Sequence, residues 1–174
     1  MEETDLIKSV QNGNEDAMNS LISSYYQAIF AYFYKNTNQY HQSKDLTQEV
    51  FIKMISGISR YKPKASFKSW LFTIASNHLK NYYRTLSRHS EYVGLSDDII
   101  AEESAIIVAE MKKDMNIALS RLPQEQRESI ILRFYNDFSI REIARIMGVM
   151  ETTVKARIRY GLKKLKKELE GYDA

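Results

Sequence analysis

Apolar residues recur at intervals of three and four positions along most of this 174-residue chain, and few residues interrupt that pattern. Only two prolines and six glycines are present, and these are the residues that most often break helices. A period near 3.6 is typical of a helix with one buried face. The sequence therefore predicts an all-α protein, and its 44% apolar residues suffice for one sizeable core or two small ones.

Basic residues are concentrated in two segments. Residues 60–90 contain seven lysines and arginines and no acid, and residues 152–167 contain the same number and again no acid. All 22 acids lie in the rest of the chain. One such run alone is more often a solvated helix face, but two on an acidic background predict two separate contacts with a polyanion.

Several functional classes are disfavoured by composition. Cysteine is absent, which excludes disulfides and thiolate metal sites. The three histidines have no metal-ligand spacing, so we expect no metal, cofactor, catalytic residue or small-molecule substrate. No secretory signal and no apolar run of membrane-spanning length is visible. We expect a soluble, cytoplasmic protein.

The charge and periodicity also predict two small helical domains. The stretch "HSEYVGLSDDIIAEES" is acidic, polar and without helical period, which is typical of a flexible linker. We assign residues 1–88 to a first domain, 89–105 to the linker and 106–174 to a second domain. Within the first domain, a polar break "NTNQYHQS" is expected to separate two helices.

The C-terminal segment contains a helix-turn-helix pattern. Ser139 and Glu142 form an S-x-x-E capping box, which marks the start of a first helix. Gly148 follows where the chain must turn sharply, a position that favours a residue tolerating positive φ. Thr152 or Thr153 then starts a longer basic helix. This arrangement predicts a DNA-binding motif.

The phase of the second helix decides which side chains would face DNA. An apolar stripe is expected to pack on the domain through Val154, Ile158, Leu162, Leu165 and Leu169. The opposite face carries Thr152, Thr153, Ala156, Arg159, Tyr160, Lys163 and Lys167, with Lys155 and Arg157 on its flanks. Basic side chains can donate to guanine edges in a major groove, and threonine and alanine methyls can meet thymine. The alternative is an amphipathic helix whose basic face is only solvated. The capping box, Gly148 and the helical phase of the basic residues all agree with a DNA-binding motif and disfavour this alternative.

The central helix "FKSWLFTIASNHLKNYYR" has a second candidate surface. Its inner stripe is expected to be Phe67, Trp70, Leu71, Ile74, His78 and Leu79. Its outer face would carry Lys68, Phe72, Thr73, Ser76, Asn77, Lys80, Asn81, Tyr83 and Arg84. Amide, basic and aromatic groups interleaved on one face suit unpaired nucleic acid, although aromatic residues at helical spacing more often belong to a core.

Four segments now allow a comparison with a known family. "DLTQEVF", "FKSWLFTIASNHLKNYYR", "LPQEQRESIILRF" and "FSIREIARIMGVMETTVKARI" occur in this order. Together, over about residues 5–169, they closely resemble bacterial RNA polymerase sigma factors of the extracytoplasmic-function group of the sigma-70 family. The resemblance implies region two in the first domain and region four in the second, and a promoter-recognition subunit without catalysis of its own.

The resemblance also implies roles for individual residues. Asp45, Gln48 and Glu49 match the helix that docks on the clamp of the polymerase's largest subunit. The loop "RYKPKASF", with Lys62 and Lys64, matches the segment that captures a flipped-out base of the minus-ten element. Asn77 and Lys80 match positions that face this single strand, and residues 155–160 match the part of the recognition helix that reads the minus-thirty-five element. The implied partners are core RNA polymerase (largest-subunit clamp and flap), promoter DNA and an anti-sigma factor, which could hold the chain at the membrane.

One departure and two alternatives remain at this point. Tyr160-Gly161 replaces a common arginine-alanine pair, and a mid-helix glycine costs about 1 kcal/mol against alanine, so we expect a softer recognition helix. A DNA-processing enzyme would need a nucleophile with arginine helpers or a metal-binding carboxylate cluster, and the sequence displays neither. A stand-alone helix-turn-helix regulator would normally dimerise on paired half-sites without polymerase, which the "DLTQEVF" surface argues against.

Overall fold

The computed structural model describes residues 2–89 and 113–171. The first stretch forms α1 (Glu3–Gln11), α2 (Glu15–Thr37), α3 (Tyr40–Gly57), a short 3-10 turn (Ile58–Arg60) and α4 (Phe67–His89). The second forms α5 (Lys113–Ser120), α6 (Gln124–Ile130), a π-helical turn (Ile131–Tyr135), α7 (Ile140–Met147) and α8 (Glu151–Glu170). These two stretches contain no strand, so the all-α fold is confirmed. The predicted linker lies outside the described residues except for His89, with which α4 ends.

The boundary between α2 and α3 is much shorter than the predicted polar break. The side chains of Asn36 and Thr37 donate to the carbonyls of Tyr32 and Phe33, so these polar residues continue α2 instead of ending it. Asn38 closes the helix in the left-handed conformation, at φ 54°. Tyr40 already begins α3, with its ring against that of Phe30. The predicted break was wrong because the polar character of this segment was interpreted as a loop.

The N-terminal helices pack around a common core. Its fully enclosed side chains include Leu21, Ile29, Phe33, Val50, Met54, Leu71 and Leu79, each of which contributes about 1.5–3 kcal/mol by burial. α1 packs on α2, and its Gln11 reaches across to the end of α3. The Nε2 of Gln11 donates to the carbonyls of Ile58 at 2.9 Å and Tyr61 at 3.0 Å. α1 therefore ties down the loop that precedes α4.

A tight turn joins α7 to α8. The predicted capping box is confirmed, because the Glu142 amide donates to Ser139 Oγ at 3.1 Å and the Ser139 amide donates to Glu142 Oε2 at 2.8 Å. Gly148 has a φ of 67°, which favours glycine. α8 starts at Glu151 and not at a threonine, since the Val154 amide donates to the carbonyl of Met150.

Gly161 packs closely against α6. A Cβ atom at this position would lie 2.6 Å from Ile130 Cδ1 and 3.3 Å from Gln126 Cβ. The buried stripe of α8 therefore runs through Val154, Ile158, Gly161 and Leu165, while Leu162 is 40% exposed. The predicted stripe was wrong at Leu162 because a glycine was not counted as an inward-facing residue.

The two helical domains pack against each other. α7 lies against α4, and α5, α6 and the π-helical turn lie against α2. Phe72 of α4 meets Phe138 edge to face, with ring centroids 5.1 Å apart. Phe72 and Ser76 are fully buried, which corrects their predicted place on the outer face of α4. Phe72 also contacts the ring of Tyr32 in α2, at 5.5 Å between centroids, and Ser76 donates to Glu128 of the second domain, so both domains contribute to this burial.

Candidate nucleic-acid interface

The residues predicted to read duplex DNA share one side of α8. Those that are exposed are Thr152, Lys155, Arg159, Tyr160 and Lys163, while Thr153 and Ala156 are partly buried. The guanidinium of Arg159 lies 5.1 Å from the centre of the Tyr160 ring. Burial of the opposite stripe against α6 and α7 leaves this basic face directed outward, with its two threonines in the first turn of the helix.

The loop before α4 borders a basic groove of about 380 Å³. Its charged lining comes from Arg60, Lys62, Lys64 and Arg145, with Tyr61 and Trp70 among the other lining residues. The Tyr61 hydroxyl donates to the carbonyl of Ala65 at 3.0 Å, which holds the loop in a compact shape. Four cations beside two rings form a surface suited to an anion with a planar group.

Two of the groove residues were not predicted as site residues. Trp70 was assigned to the core, but it is only partly buried, and its ring lies 4.9 Å from that of Tyr61 at the groove, in a tilted arrangement. The nearby loop "RYKPKASF", already predicted to bind a base, was the feature of the sequence that could have indicated a role for Trp70. Arg145 belongs to α7 in the other domain, so no local pattern connects it with this loop.

The predicted single-strand face of α4 is only partly free. Asn77 is exposed, and Arg84 bonds to Asn81 on its own helix. Lys80 is also exposed, but its Nζ donates to the carbonyl of Met147 in α7, at 2.6 Å. The Tyr83 hydroxyl receives a bond from Arg127 Nη2 at 2.8 Å and donates to the carbonyl of Asn36 at 2.5 Å. The C-terminal domain therefore engages two of the four residues predicted for this face.

A buried carboxylate lies at the centre of the contact between the domains. Glu128 of α6 is 1% exposed and accepts bonds from Ser76 Oγ at 2.6 Å and Tyr32 Oη at 2.8 Å. Burial raises the pKa of Glu128, and the two hydroxyl bonds and the charges of Lys80 and Arg157 oppose that shift. The sequence analysis gave Glu128 no role, since neither of its partners is near it in the chain.

The residues predicted to bind polymerase form a separate surface on α3. Asp45, Gln48 and Glu49 are all exposed. Ile52 continues their spacing by one further turn and is 67% exposed. Glu49 Oε2 lies 3.4 Å from Nδ1 of His78, which is partly exposed and not a core residue as predicted. The sequence analysis did not assign Ile52 to this surface.

Among residues 2–89 and 113–171, no group of three histidine, aspartate or glutamate side chains is placed to hold a metal ion. No helix in the described part of the chain is both long and apolar enough to cross a membrane.

Comparisons with known proteins agree with this two-domain arrangement. A family model described as Sigma-70 region 2 matches residues 21–89, and another described as Sigma-70, region 4 matches residues 118–165. The ECF RNA polymerase sigma factor SigW of Bacillus subtilis (strain 168) is 27% identical over 179 residues, covering 94% of each chain. The ECF RNA polymerase sigma factor EcfG of Rhodopseudomonas palustris (strain TIE-1) is 30% identical over 125 residues, covering 71% of this chain and 69% of EcfG.

Two solved structures have a similar fold. One is the sigma factor RpoE in complex with the anti-sigma factor NepR from Bartonella quintana, with a TM-score of 0.71 and 22% identity over 87% of this chain and 96% of that one. The other is CnrH in complex with the cytosolic domain of CnrY, with a TM-score of 0.69 and 21% identity over 95% of this chain and 96% of that one.

Proposed function

The chain belongs to the extracytoplasmic-function group of the sigma-70 family, whose members are transcription initiation factors and not enzymes, and we propose how it divides promoter recognition between its two domains. α8 reads duplex minus-thirty-five DNA. α4 and the loop before it bind the melted minus-ten strand. The observation that carries this proposal is the placement of two basic, acid-poor surfaces on the two domains that the region 2 and region 4 models match.

The role of α8 is supported by the chemistry of its outward face. Lys155 and Arg159 can donate to guanine edges, and Thr152, Thr153 and Ala156 offer methyl groups for thymine. Tyr160 and Lys163 lie further along the helix, where a lysine suits phosphates. The capping box and Gly148 fix the angle at which α8 leaves the turn.

The role of the N-terminal domain is supported by the groove beside α4. Lys62 and Lys64 would meet phosphates, and Tyr61 and Trp70 offer rings on which an extruded base can stack. Asn77, Lys80, Tyr83 and Arg84 would follow the strand along α4. A strand already separated from its complement gains most from such a surface, because duplex DNA hides the faces of its bases.

Two protein partners are part of the proposal. The α3 surface of Asp45, Gln48, Glu49 and Ile52 would dock on the clamp of the largest polymerase subunit, and the C-terminal domain would meet the flap. RpoE was solved with the anti-sigma factor NepR, and by analogy we propose an anti-sigma partner for this chain. The domain boundaries, 1–88, 89–105 and 106–174, are proposed with these roles.

Reconstituted transcription tests the proposed function. Core RNA polymerase would be incubated with pooled genomic fragments, with and without the purified chain, and transcript 5′ ends would be sequenced. We expect start sites that depend on the chain and share upstream elements at minus-ten and minus-thirty-five. If the chain instead occupies paired half-sites without core polymerase and yields no new start sites, it is a stand-alone regulator.

A variant on α4 separates strand capture from the other steps. Asn77→Ala should slow promoter opening while leaving core binding and minus-thirty-five contact unchanged, since Asn77 is exposed on the face assigned to the single strand. A template with a pre-melted minus-ten bubble should relieve the defect. If Asn77→Ala opens duplex promoters at the wild-type rate, this face has no part in strand capture.

A further inference from the structure

We propose that the basic groove between the loop before α4 and α7 binds a free nucleoside polyphosphate. Its phosphates would lie among the four cations of the groove, and its base against Tyr61 and Trp70. The groove is the one proposed above for the melted strand, so this is a second, small-molecule ligand for the same surface. Its binding is measured on the chain alone, without DNA or polymerase, and does not depend on the proposed function.

Cations from both domains line this groove. Arg60, Lys62 and Lys64 come from the chain between α3 and α4, and Arg145 comes from α7. All four are exposed, and within residues 2–89 and 113–171 none of their side chains makes a hydrogen bond or an ion pair. Like charges gathered around one cavity create a strong positive potential there, which attracts an anion.

The grouping of these charges favours a ligand whose phosphates are close together. A nucleic-acid strand presents one phosphate per nucleotide, whereas a nucleoside polyphosphate presents all of its phosphates in one short chain. The planar guanidinium of an arginine can bind phosphate oxygens through two parallel hydrogen bonds, and a lysine binds them as a point charge. Two arginines and two lysines around one cavity therefore match a chain of phosphates.

Two aromatic rings provide a place for the base. Tyr61 and Trp70 are both only partly buried. Phe67, which is 2% exposed, packs against both of them, with its ring centroid 5.6 Å from that of Tyr61 and 5.5 Å from that of Trp70. A Cβ atom at Gly57 would lie 3.3 Å from Cζ2 of Trp70, so the end of α3 also packs closely on this ring. The accessible parts of the two rings are therefore held in place for a planar ligand.

The size and rigidity of the groove also suit a small ligand. Its volume of about 380 Å³ lies within the range of about 300–1,000 Å³ that is typical of small-molecule sites. Gln11 donates to the carbonyls of Ile58 and Tyr61, and the Tyr61 hydroxyl donates to that of Ala65, so the loop is held without a ligand. Binding therefore requires little ordering of the loop. Because Arg145 belongs to the second domain, the bound ligand would contact both domains.

Titration with ATP, supplied without magnesium, tests for this ligand. Trp70 is the only tryptophan of the chain, so its emission reports directly on the groove. We expect a saturable change in that emission. By calorimetry, the affinity for ATP should exceed that for inorganic tripolyphosphate about fivefold or more, because stacking of the base adds to the binding of the phosphates. Adenosine, which has no phosphate, should bind more weakly than either.

Two variants test the cations of the groove. Arg145→Ala should lower the affinity for ATP about tenfold or more, since it removes charge-assisted hydrogen bonds to phosphate. Arg141→Ala is the matched control, because Arg141 is also exposed on α7 but does not line the groove. Lys62→Ala should weaken the binding of both ATP and tripolyphosphate, with Lys53→Ala, at an exposed position of α3, as its control. Helix content from circular dichroism checks that all four variants are folded.

Three results would overturn the inference. The first is ATP that gives neither a saturable change in Trp70 emission nor a heat of binding. The second is equal affinity for ATP and tripolyphosphate, and the third is an equal loss in Arg145→Ala and Arg141→Ala, which indicates attraction by net charge alone. Reconstituted transcription reports separately on the proposed function: a chain that directs start sites without binding ATP contradicts only the ligand site, and a chain that binds ATP without directing start sites supports the ligand site and contradicts only the proposed function.

Discussion

At the scale of single residues, Gly161 has a packing role that its low helix propensity did not suggest. By composition alone, a glycine within α8 predicts a softer recognition helix, because glycine lowers helix propensity. In the structure it packs against α6, where a Cβ atom would force the Ile130 side chain to shift and would crowd Gln126. The position of the basic face therefore depends on a residue that has no side chain.

Gly161→Ala should destabilise the C-terminal domain, although helix propensity alone predicts a gain of about 1 kcal/mol. Crowding of a packed contact costs about 1–3 kcal/mol, so we expect a net loss of up to about 2 kcal/mol in the free energy of unfolding, measured by urea denaturation. Ile130→Val, which removes the crowding Cδ1 atom, should restore most of that loss when combined with Gly161→Ala. A stabilised single variant would contradict the packing role.

Gln11→Ala should loosen the loop before α4. The variant loses two hydrogen bonds to the carbonyls of Ile58 and Tyr61, each contributing about 0.5–1.5 kcal/mol. We expect slower promoter opening by the holoenzyme and a shifted emission spectrum of Trp70, the only tryptophan of the chain. Lys8→Ala, at an exposed position of the same helix, is the control and should change neither. A wild-type spectrum for Gln11→Ala would mean that α1 does not position the loop.

At the scale of elements, each proposed contact is built on one helix. A helix holds residues three and four apart on one side, so α8 aligns its threonines and basic side chains, and α3 aligns Asp45, Gln48, Glu49 and Ile52. The predictions for these helices therefore concern faces, and the controls are exposed residues of the same helix outside the proposed contact.

Lys155→Ala and Arg159→Ala should each weaken binding of a minus-thirty-five duplex. A contact to a base edge is worth about 1–3 kcal/mol, and its loss should relax the preference at one position. The affinity would be measured by anisotropy at several salt concentrations, with Lys166→Ala as the control. A loss that is equal on all sequences and flattens the salt dependence would identify the residue as a phosphate contact instead.

Asp45→Ala with Gln48→Ala should weaken binding to core polymerase without changing thermal stability, because both side chains are exposed. Ile52→Ala should add to the defect, since an apolar side chain at the centre of a contact often contributes about 1 kcal/mol or more to the binding free energy. Lys53→Ala is the control on the same helix. The affinity would be measured by titrating the labelled chain with core enzyme. If the triple variant binds core polymerase as tightly as the wild type, α3 is not the docking helix.

At the scale of the whole molecule, the closed arrangement, in which the two domains pack against each other, places Glu128 where its charge is poorly solvated. Tyr32, Ser76, Lys80 and Arg157 face it from α2, α4 and α8, and their bonds and charges offset only part of the desolvation. The pKa of the carboxyl is therefore raised above its ordinary value of 4.5 in the closed form. The two nearby phenols, Tyr32 and Tyr83, also have raised pKa values and stay protonated at neutral pH.

This shift predicts that the closed arrangement weakens as the pH rises. A group whose pKa is raised in one state stabilises that state fully below the ordinary pKa and ceases to do so as the pH passes through the raised value. Energy transfer between two dyes, attached one to each domain through His41→Cys and Lys166→Cys at exposed positions, should accordingly be lower at about pH 8 than at about pH 5. Glu128→Gln, which stays neutral, should abolish the difference, and helix content from circular dichroism controls for unfolding. A pH response that persists in Glu128→Gln would assign it to another group.

The features that were predicted correctly depend on short stretches of chain. The all-α fold, the capping box of Ser139 and Glu142 and the turn at Gly148 follow from spacing and backbone preference within a few residues. The two basic segments could also be found by counting charges. The exposed faces of α3 and α8 follow mainly from helical phase, with an error at Leu162, where Gly161 is the inward residue.

The features that could not be predicted depend on which surfaces meet in three dimensions. Phe72 and Ser76 were predicted on the outer face of α4, but they are fully buried by residues distant in the chain, among them Tyr32, Phe138 and Glu128. Arg145 lines a groove formed mainly by the loop before α4, and Glu128 bonds to Tyr32 across 96 positions of sequence. Helical periodicity shows that a face is apolar, polar or basic. Periodicity does not show which surface packs against that face, because the burial and pKa of a side chain are set by atoms from elsewhere in the fold.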